Sequence, residues 1–205
     1  MSPEAGVIEH VFVLVFAVAY PVLGFFSFRR LLRRIAAGSP ADRPRLYRHT
    51  IVGHWILLGT GLYLWWSAGR PLEELGFTTE TGVGFMTALA FTVAGIVFLV
   101  GQVRSATGGD REFLDAVADA FGPLVHLLPR SRRELRTFYL VGITAGIAEE
   151  VLWRGYLLAY LSTWLPVPVS AAIVVAGFGL AHAYQGARSV PRVTVVGAVF
   201  TALDR

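Results

Sequence analysis

Residues 137–161 read TFYLVGITAGIAEEVLWRGYLLAYL, and this stretch decides the fold. About 20 apolar residues are what a hydrocarbon core of roughly 30 Å demands of a helix. The stretch satisfies that length, yet Glu149, Glu150 and Arg154 lie near its middle. A charge at such depth costs on the order of 3 kcal/mol even on mild insertion scales, so these side chains are expected to face protein and to have a function. At about 100° per residue, Gly142, Gly146, Glu149 and Trp153 fall on one stripe, with Glu150 and Arg154 together on its shoulder. Small residues four apart let a partner helix approach closely, which predicts that the stripe packs against protein.

Working outward, comparable apolar stretches run at about 8–28, 49–66, 82–103 and 169–186, and a sixth begins near 193. Hydrophobic residues make up 55% of the 205, charged residues only 16%, and the mean hydropathy is +0.59, a balance that excludes an ordinary soluble surface. The expected fold is an all-α, polytopic transmembrane helix bundle with five complete spans and a partial sixth. Residues 1–205 form a single membrane domain on this basis, with N-terminal spans, basic loops and an interfacial helix over 1–136.

Charge placement predicts the topology. All eighteen basic residues are Arg. Arg29, Arg30, Arg33, Arg34, Arg43, Arg45 and Arg48 fall in the first connection, and Arg104, Arg111, Arg130, Arg132, Arg133 and Arg136 in the third. Arg188 and Arg192 fall in the fifth. The second holds Arg70 beside Glu73, Glu74 and Glu80, and the fourth has no charge. The positive-inside rule then puts the odd connections in the cytoplasm and the N-terminus outside a multi-pass plasma-membrane protein. Every Arg cluster flanks an apolar span, so the basic balance implies no nucleic-acid partner. Glu4 and Glu9 precede the first span and its Arg cluster follows it, the reverse of a secretory signal, which predicts a retained anchor helix.

Pro21 interrupts the first span, a break that neighbouring helices can accommodate in a membrane. Trp55, Trp65 and Trp66 sit near the ends of the second and are expected at the lipid–water interface. Over 111–128, Phe113, Val117 and Phe121 recur at helical spacing opposite Asp115 and Asp119. That pattern predicts an amphipathic connector packed on the cytoplasmic face of the bundle. The absence of Cys removes disulfides and thiol chemistry, and the absence of Lys removes Schiff-base and Ser-Lys chemistry.

Arg154 lies one turn from Glu150 and is placed to hold it ionised. Glu149, about 100° round the helix, is left to point elsewhere, so the pair can divide into an anchored carboxylate and a proton acceptor. The fifth span carries Phe178-Gly-Leu-Ala-His182, with the Phe178 ring one turn from the imidazole. A hairpin through Ser162–Val167 would bring His182 opposite the two glutamates, where an intramembrane His becomes a catalytic or ligand group.

Glu149-Glu150-x-x-x-Arg154-Gly and Phe178-x-x-x-His182, about thirty residues apart on successive spans, resemble the CPBP intramembrane proteases. These are the type II CAAX prenyl endopeptidases and their Abi-like bacterial relatives linked to bacteriocin processing and immunity. The resemblance runs from about Thr137 to Arg192 and makes 137–205 the catalytic core. It implies an endopeptidase acting on a peptide or protein substrate near the cytoplasmic membrane face, in which Glu149 activates a water. It gives Glu150 and Arg154 a supporting role and makes His182 a metal ligand or a polarising group. A divalent metal such as zinc, held by Glu149 and His182, is the cofactor it suggests, with Phe178 supporting the His.

The family's third motif, His followed four residues later by Asn or Asp, is not found. Asp204 has no His at that spacing, and His10, His49, His54 and His126 lie in other helices or the connector, so none is expected to replace it. The expectation is a fragment or an inactive relative. The rival function is a non-catalytic membrane protein that binds a partner, as an immunity factor would; a proton-coupled carrier is a third. No His-Glu-x-x-His and no Gly-x-Ser-x-Gly is present, which removes zinc-helix and serine-elbow hydrolases.

Overall fold

The computed structural model describes residues 6–76 and 122–203. Every element among them is helical, as the apolar periodicity requires. The expected third span at 82–103 and most of the 111–128 connector lie outside the described residues.

Helix α1 (Val7–Ala36) is longer than the expected first span because it continues through the Arg cluster. Its turns widen to π-helix over Val15–Ala19, just before Pro21. A proline removes one backbone donor and crowds the preceding turn, and a π turn absorbs both effects without breaking the helix. Helix α2 (Arg43–Ser67) starts six positions before the predicted apolar run, where the Asp42 side chain accepts the Arg45 backbone N–H (3.1 Å) and Pro44 occupies the first turn. Short 3₁₀ turns follow at Leu72–Leu75 and Gly122–Leu127.

Helix α3 (Arg132–Glu149) begins on a Ser131 cap that accepts the Glu134 backbone N–H (3.1 Å). It runs without a break into a π-helical stretch, Glu150–Leu157, and then α4 (Leu158–Ser162). Helix α5 (Val167–Ala181) returns antiparallel, and α6 (Ser189–Leu203) packs on α5. Two of these elements, Val7–Ala36 and Val167–Gln185, are long and apolar enough to cross a membrane, and Ser189–Thr201 is a shorter apolar helix. The expected spans at 49–66 and 137–161 are helical but carry too much polarity to meet that measure unaided. His49 and His54 lie in α2, and Glu149, Glu150 and Arg154 lie midway along the helix that starts at Arg132.

The core gathers where α1, α2 and the π-helix meet. Phe12 and Phe16 of α1 pack on Tyr156 (5.2 and 6.3 Å between centroids), and Trp65 of α2 packs on the same ring (5.4 Å). Trp65 corrects its interfacial prediction. It is only 1% exposed, and its indole N–H donates to the Pro71 carbonyl (2.9 Å), whereas Trp55 and Trp66 are exposed as expected. The glycine stripe meets no close neighbour among the described residues. Gly142 and Gly146 face open space among the described residues, and Thr144 and Ala148 are the buried face of α3. Close approach occurs instead at Gly155, where a Cβ would lie 2.7 Å from the Leu75 carbonyl oxygen, and at Gly179, against Thr194 of α6.

Candidate functional site

Glu149 closes the regular part of α3, and the widened turns begin at the next residue. π-Helical turns cluster at functional sites because they re-aim side chains that an α-helix would space differently. Glu149 points between two imidazoles. Its Oε1 lies 3.7 Å from His54 Nε2 on α2 and 3.9 Å from His182 Nε2 at the end of α5. The hairpin through 163–166 brings His182 there. The α2–α3 packing brings His54.

Both imidazoles are oriented in the same way. His54 Nδ1 lies 2.8 Å from the Thr50 carbonyl, and His182 Nδ1 lies 2.8 Å from the Phe178 carbonyl. A carbonyl only accepts, so each Nδ1 donates its proton there and each ring turns its Nε2 toward Glu149. Ring contacts add to the fixing. Phe178 and Tyr184 lie 4.7 and 6.1 Å from His182, and Tyr20 stands edge-on to His54 at 5.8 Å. The Glu149 side chain keeps 27% of its surface exposed, enough for a water or a substrate atom to reach it.

Glu150 and Arg154 form the i,i+4 ion pair that their spacing predicts. Arg154 is mostly buried, and its guanidinium lies between the rings of Phe178 (5.1 Å) and Phe200 (5.2 Å). Its Nε has no hydrogen-bond partner, so one face of the cation is held by aromatic quadrupoles rather than by oxygen. The four residues divide into two groups. Glu149 and His182 meet at one, Glu150 and Arg154 at the other, and Phe178 touches both.

His54 departs from the sequence expectation most sharply, since its helix seemed to exclude it from the site. The available signal was a His within an apolar helix, which is costly in a membrane and functional by default. Phe200 had no sequence signal. Among the described residues, no three His, Cys, Asp or Glu side chains already stand at metal-ligating spacing.

Residues 132–204 match the family described as type II CAAX prenyl endopeptidase Rce1-like. That segment contains Glu149, Glu150, Arg154, Phe178 and His182 but not His54. No curated protein and no solved structure matches the chain.

Proposed function

We propose, from the match of residues 132–204 to the family described as type II CAAX prenyl endopeptidase Rce1-like, an intramembrane endopeptidase in which Glu149 activates the attacking water. The observation that carries this is the gap of 3.9 Å between Glu149 Oε1 and His182 Nε2. A water set about 2.8 Å from each would donate one hydrogen to the carboxylate and the other to the imidazole. Its oxygen is then free to attack the scissile carbonyl carbon as Glu149 takes a proton. The tetrahedral intermediate collapses as the C–N bond breaks and that proton passes to the leaving amine.

Glu150 does a different task in this scheme. Its pairing with Arg154, which also contacts Phe178 and Phe200, anchors one carboxylate and leaves the neighbouring Glu149 to face the imidazoles. Phe178 positions the imidazole through its carbonyl and its ring. A divalent metal of the kind the family suggests, held by Glu149 and His182, would supply Lewis-acid polarisation of the water and the carbonyl.

The membrane placement is a multi-pass bundle with the site open to the cytoplasm. Arg43 donates to Glu134 (3.1 Å), joining the first and third connections at one end. Arg70 meets Glu9 (2.8 Å), joining the second connection and the N-terminal segment at the other. That partition matches the alternation of Arg-rich and Arg-poor connections.

The test is cleavage of a farnesylated CAAX-type peptide by the detergent-purified protein. Glu149→Gln should lower the rate by about 10²–10⁴-fold, the usual contribution of a general base. Equal rates for wild type and variant would overturn the proposal. Absence of cleavage in both, with a biological effect that survives Glu149→Gln, would favour the partner-binding alternative.

A further inference from the structure

Attack by water moves the C=O π pair onto the carbonyl oxygen, and an oxyanion in a water-excluded site is stabilised by donors preorganised around it. Glu149 takes up the water's proton in the scheme above, the Nδ1 protons of His54 and His182 go to backbone carbonyls, and Arg154 is turned to Glu150. A phenol is the neutral donor that fits such a place. With an ordinary pKa of about 10 it keeps its proton at neutral pH, whatever the protonation of the imidazoles.

Tyr20 of α1 lies beside Glu149 and His54. Its ring stands edge-on to the His54 ring at 5.8 Å and 90°. Its hydroxyl rests against α2 at Gly53, where a Cβ would come within 3.0 Å of it, so glycine leaves the room that the phenol occupies. Tyr20 directly follows the π-helical turns of Val15–Ala19, and such turns re-aim the side chains next to them. The phenol interacts electrostatically with Glu149. Its hydroxyl makes no hydrogen bond among the described residues, and 37% of the residue's surface stays exposed for a substrate to meet. Tyr184, a second phenol that interacts with Glu149, already accepts from Gln185 (3.1 Å). We propose that the Tyr20 hydroxyl donates a hydrogen bond to the oxyanion of the tetrahedral intermediate.

No proton leaves Tyr20 in this step. The water oxygen bonds to the carbonyl carbon, Glu149 takes the water's proton, and the carbonyl oxygen gains the π pair while it accepts from the Tyr20 O–H. On collapse the C=O re-forms, the C–N bond breaks and the proton on Glu149 passes to the leaving amine. Tyr20 ends as it began. It lies in α1, outside both sequence motifs and outside the segment that matches the family, so nothing in either assigns it to the site.

The inference rests on the hydrolase proposal, and its test separates the two. Steady-state cleavage of the farnesylated peptide by the purified full chain would be measured beside binding of a phosphonate analogue of that peptide, whose tetrahedral anion stands in for the intermediate. Tyr20→Phe keeps the ring against His54 and removes only the hydroxyl. Its kcat should fall about 10²–10³-fold, the usual cost of one oxyanion donor, and phosphonate binding should weaken by a similar factor. KM should hold within about twofold, because the interaction is made in the transition state alone. Gly53→Ala, which crowds the hydroxyl, should lower kcat in the wild-type background and not further in Tyr20→Phe. Wild-type kcat in Tyr20→Phe, unchanged phosphonate affinity, or an equal loss from Gly53→Ala in both backgrounds would overturn the donor and leave the hydrolase standing. No cleavage by wild type would overturn the hydrolase, and this role with it.

Discussion

Glu9 and Glu149 both lie among cations or imidazoles, and they are held very differently. Glu9 meets Arg70 at 2.8 Å and accepts the Tyr156 hydroxyl at 3.1 Å, and both charged side chains are almost entirely buried. The Arg70 guanidinium also lies 4.9 Å from the Trp65 ring. Glu149 has neighbours at 3.7 and 3.9 Å, no direct hydrogen bond to either, and a partly open surface. A buried charge held by short, geometrically good contacts is part of the scaffold. A carboxylate surrounded at a distance that a water or an ion would fill is poised for chemistry.

The contrast breaks most clearly if the two groups respond alike to mutation. Glu149→Gln should cost about 10²–10⁴-fold in cleavage rate, yet move thermal stability by no more than about 0.5 kcal/mol, because it removes no tight partner. Arg70→Ala should destabilise by about 3–5 kcal/mol, since it strands the Glu9 carboxylate in the core. Thermal unfolding in detergent measures both, and a large stability loss in Glu149→Gln would erase the distinction.

Gly155→Ala sharpens the comparison, because Gly155 lies on the π-helix between the two groups. Its new Cβ would meet the Leu75 backbone 2.7 Å away, and backbone cannot swing aside. Overpacking of this kind costs about 1–3 kcal/mol. Because the π-helix carries both Glu150 and Tyr156, activity and stability should fall together; a stable but inactive variant would place the strain at Glu149 alone.

The smallest effect is expected at Glu134, at the solvent-facing start of α3. Its carboxyl lies below the ordinary 4.5, first because the Arg130 backbone N–H donates to it and then through Arg43. A pKa lowered by folding contributes stability above the unfolded value and loses it as pH falls through the folded one. Glu134→Gln should therefore melt slightly lower than wild type at neutral pH and converge with it in acid. A gap that widens in acid would reverse the assigned cause.

The legible part of the site was local. Glu150 with Arg154 and Phe178 with His182 are both one-turn relations within a helix, and periodicity predicts them directly. The relation of His54 to Glu149 joins α2 to α3 across 95 positions of chain, and no local pattern carries it. Among the described residues the close glycine contacts form at Gly155 and Gly179, each against a distant part of the chain that no local spacing identifies. Trp65 likewise sat at the right place for an interface, until its N–H found the Pro71 carbonyl inside the bundle.

The sequence by itself determined the helical class, the family motifs and the residues whose charge is too costly to leave facing lipid. These follow from composition and from spacing within one helix, where neighbours are set by the 3.6-residue turn. Tertiary structure alone decided which carboxylate is clamped and which is poised, that the turns widen after Glu149, and that His54 faces it. Those outcomes depend on which helices pack together and in what rotation, and that choice is made by the summed contacts of the whole bundle rather than by any one stretch of it.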